Sequence, residues 1–277
     1  MSADKIWFEQ PFDFHTVDKM ADSPSLDIEK KRVNFLRSLA GHMTKVQGIP
    51  FSAIGMPSFG NFQSAAYSHE QREFPVDKTF VWPYTSDVNK VEERPVSMLT
   101  QAYVCTALDQ LPSLDEVENL TDSQKELLGV RKILNIVFSH MVFQSAPDDT
   151  FILQHYDLDF QNILIDPEGN VTGILDWGGS LAMPRCVASA AVPTFLPRDW
   201  FPCHLTRRPH MSESLPHYRE VYAAAMFEAG NPAVKFTTKS AIYQAAFASI
   251  YEGGSIYDFS AKLLAFVPLP LDAVNTI

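Results

Sequence analysis

The most constraining stretch of this chain lies just past its midpoint. There His155-Tyr156-Asp157 is followed by Asn162, and two short β-like runs then occupy residues 162–166 and 171–175. Pro167-Glu168-Gly169-Asn170 joins the runs, and a Pro-x-Gly-Asn link between β-branched segments predicts a hairpin. A hairpin returns the end of its second strand beside the start of its first. Asp176, next in Leu175-Asp176-Trp177-Gly178, is therefore expected back beside Asn162, with His155 and Asp157 immediately upstream. The rest of the chain must fold around that arrangement.

The surroundings read mainly as helix. Residues 1–22 show neither a helical nor a strand period. Ser23-Pro24 supplies a cap and a first-position proline. Leu36, Leu39, Met43 and Val46 follow at spacings of three and four, and Gly48 stands where the helix would stop. Residues 49–96, rich in Pro, Ser, Gly and aromatics, read as short strands and loops. A second helix is expected over about 96–110, ended by Pro112. Thr121-Asp122-Ser123-Gln124 forms a capping box before a long, largely buried helix with Leu127, Val130, Leu134, Val137 and Met141 on one face. Residues 145–149 break it. Beyond the hairpin, helices are expected at about 214–229, 234–251 and 257–266. Helices around a central hairpin make the class helix-rich α+β.

Composition narrows the function. The 277 residues are 46% apolar and 20% charged, which excludes general disorder and is enough to build a core without disulfides or a structural metal. With 22 Lys+Arg against 33 Asp+Glu the formal charge is −11, so no nucleic acid and no anionic membrane is expected as partner. Cys105, Cys186 and Cys203 are odd in number and match no metal cage, as in a reducing compartment. The N-terminus carries Asp4 and Glu9 without a signal-like apolar core, and no run reaches the length of a membrane span. A cytoplasmic protein is the expectation.

The spacing in the central stretch suits phosphoryl transfer. That reaction needs a carboxylate to orient the acceptor hydroxyl and take its proton, which Asp157 can do. It also needs Mg²⁺ on the phosphates, and a hard cation wants oxygen ligands such as those of Asn162 and Asp176. His155 is then expected to fix the loop by hydrogen bonds rather than to carry protons.

The same residues, as H-x-D-x-x-x-x-N followed by Leu175-Asp176-Trp177, resemble the aminoglycoside phosphotransferase-like family of small-molecule kinases. Met183-Pro184-Arg185 and Pro197-Arg198-Asp199-Trp200 look like its fungal branch. The resemblance spans roughly residues 27–265 and is sharpest over 153–200. It implies a protein-kinase-like fold, mainly the helical C-lobe carrying the catalytic-loop hairpin. Residues 1–26 would be an N-terminal segment, a hinge remnant, and 27–277 the C-lobe. It further implies ATP or GTP as co-substrate, Mg²⁺, and a small-molecule hydroxyl as acceptor. By position Asp157 is the catalytic base, His155 its neighbour in the loop, and Asn162 and Asp176 the nucleotide-side metal ligands.

The chain departs from that family in three places. Only about 26 residues precede the first C-lobe helix, too few for a five-stranded N-lobe of ordinary strand lengths. No G-x-G-x-x-G occurs, Gly55 and Gly60 are followed by Asn61 rather than by Lys, and Lys5, Lys19, Lys30, Lys31 and Lys45 have no strand context. Tyr156 stands where small residues are common, and Gly178-Gly179 where an acidic residue is frequent. The alternative is therefore a catalytically silent kinase-fold protein that binds a small molecule or a protein partner.

Other chemistries find less support. Cys203, His204, His210 and His217 match no closed zinc pattern, and no G-x-S-x-G supplies a nucleophile elbow. Arg207-Arg208 is one short basic step. Asp199, Glu220, Glu228 and Glu252 are candidates to line a polar or cationic substrate pocket. The sequence gives no oligomeric state.

Overall fold

A computed structural model describes residues 1–7, 24–58, 74–81, 92–109, 119–141, 150–201, 213–250 and 255–266. The breaks expected at Pro112 and 145–149 lie outside those residues. The helices are α1 (Asp4–Trp7), α2 (Leu26–Val46), α3 (Thr100–Asp109) and α4 (Asp122–His140) before the hairpin. After it come α5 (Leu215–Glu228), α6 (Val234–Thr237), α7 (Ser240–Ser249) and α8 (Ser255–Phe266). Helices and small antiparallel sheets together make the fold α+β. Among the described residues no helix is long and apolar enough to cross a membrane.

Local chemistry sets the helix ends. Ser25, not Ser23, caps α2: its backbone is extended and its hydroxyl accepts from the Ile28 N–H at 3.3 Å, so Pro24 lies ahead of the cap. The capping box at α4 forms as the sequence predicts, with Gln124 N–H on the Thr121 hydroxyl and the Gln124 side chain on the Thr121 N–H. The body of α4 differs from expectation. Only Val130, Leu134 and Phe138 are buried, so it is an amphipathic surface helix rather than a largely buried one. The single helix expected over 234–251 is broken into α6 and α7. Thr237 donates to Ala190 O, while Ser240 accepts from Val192 N–H and donates to Thr237 O, so side chains take over backbone bonds at the break.

Among the described residues nine short strands pair antiparallel. In the largest sheet β6 (Phe151–Gln154) lies between β1 (Pro50–Phe51) and β9 (Leu181–Met183), with Ile152 opposite both Pro50 and Met183. Two small ribbons flank it: β2 (Met56–Pro57) with β3 (Val76–Asp77), and β4 (Thr79–Val81) with β5 (Glu92–Arg94). The predicted hairpin is β7 (Ile163–Ile165) with β8 (Val171–Ile174), in register Ile163 to Ile174. Asp166 closes its turn by accepting from the Glu168 and Asn170 N–H groups and the Asn170 side-chain amide. Gly169 has φ 91, and a Cβ there would stand 2.6 Å from Lys31 O of α2. Only glycine lets the hairpin lie this close to the helix.

Residues 1–7, in which the sequence shows no period, are built into this hairpin. The Met1 nitrogen donates to Ile165 O, Ile165 N–H to Met1 O, and Ala3 N–H to Ile163 O, extending β7 on its free edge. α1 then delivers Trp7, fully buried, between Phe35, Phe160, Phe195 and Tyr218. Arg32 of α2 is also fully buried. It covers the Trp7 ring and donates to Ile6 O, Trp7 O and the Tyr218 hydroxyl.

Two hydrophobic cores result. One gathers α1, the inner face of α2 (Phe35, Leu36, Leu39, Met43), the hairpin and α5. The other gathers the β1–β6–β9 sheet, α3, α4, α7 and α8. Strand β6 runs through the second core and hands the chain to the first, and His155 is the next residue.

Candidate active site

The loop after β6 is held from several sides. His155 is buried, and its Nε2 lies 2.8 Å from Leu175 O, next to Asp176. A carbonyl only accepts, so Nε2 carries a proton. Nδ1 is buried without a hydrogen-bond partner among the described residues. The Trp177 indole packs edge-on against the imidazole at 4.8 Å and donates to Ile174 O. Leu158 O accepts from both the N–H and the hydroxyl of Thr194. His155 thus links the loop of residues 155–162 to the far strand end.

Asn162 completes the link. It caps the loop through Nδ2, which donates to Asp157 O at 2.8 Å and to Asp157 Oδ2 at 3.0 Å, while its carbonyl accepts from Leu175 N–H. With Nδ2 so engaged, Oδ1 is the atom left to bind something else. Gln161 also donates to Asp157 Oδ2 at 3.0 Å, leaving Asp157 Oδ1 free of described partners. The structure therefore brings Asp157, Asn162 and the end of β8 together, as the hairpin argument required.

Asp176 has φ 57, the one non-glycine residue with positive φ among those described. Left-handed backbone costs a non-glycine residue about 1 kcal/mol or more, least for Asp and Asn. Its exposed carboxylate accepts no hydrogen bond from a described residue, so no local cap accounts for the conformation. Gly179, at φ 73, lets the chain turn straight back into β9.

Asp159 behaves differently from its neighbours. It caps the short turn at residues 160–162 through the Phe160 N–H, and Arg198 donates to both of its oxygens at 2.8 and 2.7 Å. The guanidinium also lies over the Phe160 ring. Asp159 is thus paired and locked, a partnership with no local signal beyond Arg198 standing in Pro197-Arg198-Asp199-Trp200.

Several of these groups, though not Asn162, line a cavity of about 860 Å³ at the seam between the two cores. Asp157, Asp159, Asp176 and His155 line it from the loop side. The acidic residues expected around a substrate pocket do not: Asp199 is held by both terminal nitrogens of Arg219, Glu228 faces Arg37, and neither these nor Glu220 lines the cavity. Glu252, Cys203, His204, His210, Arg207, Arg208, Lys19 and Gly60 lie outside the described residues. His217 pairs with Glu29 at 3.5 Å on the far side of α5. Burial pushes the Cys186 thiol far up, which removes it as a nucleophile.

Among the described residues no group of three or more His, Cys, Asp or Glu could hold a metal ion by itself. What the site offers is a pair of hard oxygen donors, Asn162 Oδ1 and the Asp176 carboxylate. That donor set fits Mg²⁺, which is usually held by one or two protein oxygens together with phosphate and water. No family model matches this chain, nor does any curated protein or solved structure compared with it.

Proposed function

We propose that the chain has a protein-kinase-like fold, mainly the C-lobe, and transfers the terminal phosphoryl group of ATP or GTP to a hydroxyl of a small molecule. One observation carries this reading. Asp157 and Asp176, carboxylates with no cationic partner among the described residues, line one cavity, and Asn162 is bonded to Asp157.

Asp157 Oδ2 is occupied by two amides, so Oδ1 receives the acceptor hydroxyl and takes its proton as the oxygen attacks phosphorus. The new O–P bond replaces the bond to the bridging oxygen, and the nucleoside diphosphate leaves. Asn162 and Asp176 would hold Mg²⁺, which supplies neutralisation of phosphate charge when bound. His155 keeps these groups in register through Leu175.

A different observation favours a second reading, a catalytically silent protein that binds its ligand in the same cleft. Arg198 is the only cation among the described residues lining the cavity, and Asp159 neutralises it. No described side chain is therefore available to clamp phosphate as a lysine would. Thermal unfolding with and without Mg-ATP separates the two. Phosphotransfer predicts stabilisation, about 2.7 kcal/mol at a hundredfold excess over Kd, and its loss in Asp176→Ala. An unfolding temperature indifferent to Mg-ATP in the wild-type chain would overturn the phosphotransfer reading and leave the silent one.

A further inference from the structure

The geometry points to a largely apolar alcohol as the molecule that fills the cavity, its body in the seam between the cores and its hydroxyl toward Asp157. Only that last contact rests on the phosphotransfer reading; the rest follows from the walls.

At about 860 Å³ the space suits a drug-sized molecule, since ligand pockets run to roughly 300–1,000 Å³. All its described charged groups belong to one side. Asp157, Asp159 and Asp176 are joined through the catalytic loop and the hairpin, and Arg198 is bound to Asp159. The rest of the wall includes α3, β9 and α7, with Tyr103, Leu181, Met183 and Phe247 lining the space together with Val187 and Phe201. It brings no charge. A polycation or a sugar would leave ammonium or hydroxyl groups unpaired against that wall, at a cost of the order of 1–3 kcal/mol for each neutral group and more for each charge.

The wall is not wholly mute. Thr79 Oγ1 and Ser189 Oγ belong to cavity-lining residues that are 1% and 2% exposed, and neither hydroxyl has a hydrogen-bond partner among the described residues. His155 Nδ1 is in the same condition among those residues. Buried polar atoms left unpaired are uncommon in native proteins and call for a ligand or ordered water. Hydroxyls both donate and accept, so the two can hold one or two polar groups on an otherwise apolar frame.

The test uses the full chain and follows thermal unfolding with 1-hexanol, 1-octanol and 1-decanol against glycerol and glucosamine. The alkanols should stabilise the wild-type chain, with apparent affinity rising about fourfold per methylene, and glycerol and glucosamine should not. Ala248, half-buried on the cavity wall, provides the control. Ala248→Leu should weaken 1-decanol binding at least threefold and Ala248→Phe at least tenfold, each read against its own ligand-free transition. Should Ala248→Phe fail to fold, Ala248→Leu decides. Stabilisation by glucosamine but not 1-decanol, by neither, or by 1-decanol equally in wild type and Ala248→Leu would overturn the inference. An alkanol effect without any Mg-ATP effect would leave the apolar site standing and remove phosphotransfer; the reverse pattern would do the opposite.

Discussion

The two cores that meet at the cavity are packed by different means. Around Trp7 the packing is aromatic and directional: Phe160 stacks on Phe195 at 4.1 Å, Trp7 touches four rings, and Arg32 ties two carbonyls and a tyrosine to one point. Around Phe247 the helices meet through small residues such as Ala107, Ala241, Ala245 and Ala246, with methionine and phenylalanine between them. Large rings in fixed contacts allow few alternative arrangements, while alanine faces set helix spacing and leave the bulky side chains to shape whatever space remains. The loop bearing Asp157 belongs to the first core through Leu158 and Phe160. The uncharged wall of the cavity belongs to the second. The loop that carries Asp157 is thus held by one kind of packing, and the uncharged wall of the cavity by the other.

The strongest way to break this comparison is Trp7→Ala. Removing a buried indole from such a core should cost about 3–5 kcal/mol, read from the urea midpoint with its slope. A loss under about 1 kcal/mol would mean that α1 merely covers the surface. Ala245→Leu probes the other core, where Ala245 is fully buried. Overpacking there should cost about 1–3 kcal/mol, and it should reduce alkanol binding because α7 must shift against the cavity. A stable variant with unchanged alkanol affinity would show that the second core has slack unconnected to the site.

The smallest effect is expected at the hairpin turn. The Asn170 side-chain amide, opposed by partial desolvation and helped by backbone N–H groups, holds the Asp166 carboxyl below its usual 3.8. A lowered folded pKa gives stability that is present above the unfolded value and fades as pH falls through the folded one. The amide resonances of Glu168 and Asn170 should therefore titrate with a midpoint below 3.8 and stay flat from pH 5 to 8. A midpoint at or above 3.8 would mean that the turn does not depend on this carboxylate.

What the sequence made legible was governed by residues a few positions apart. The hairpin, the α4 capping box and the adjacency of Asp157 and Asn162 all follow from local spacing. What it hid depends on distant partners. Three aspartates at 157, 159 and 166 look alike in a row, yet Arg198 selects Asp159 from 39 residues away. The break between α6 and α7 answers to Ala190 and Val192, far upstream, so the apolar pattern of 234–251 reads as one helix. The cap expected at Ser23-Pro24 is displaced because Ser25, two residues later, accepts from the Ile28 N–H. The cavity is a seam between two cores, and no single segment encodes a seam.

The stitching of residues 1–7 to the hairpin has a consequence for how the chain comes off the ribosome. Ala3 waits for Ile163, and the ring cluster around Trp7 is not complete until Tyr218 has been made. At ~5–20 residues per second that interval is about 10–40 s. For most of it Ile6 and Trp7 have only α2 to bury against, because Phe160 and Phe195, which complete the ring cluster with Tyr218, are made late. The chain must therefore travel through synthesis with Ile6 and Trp7 largely unspent, and the loop bearing Asp157 settles only when they are finally called back.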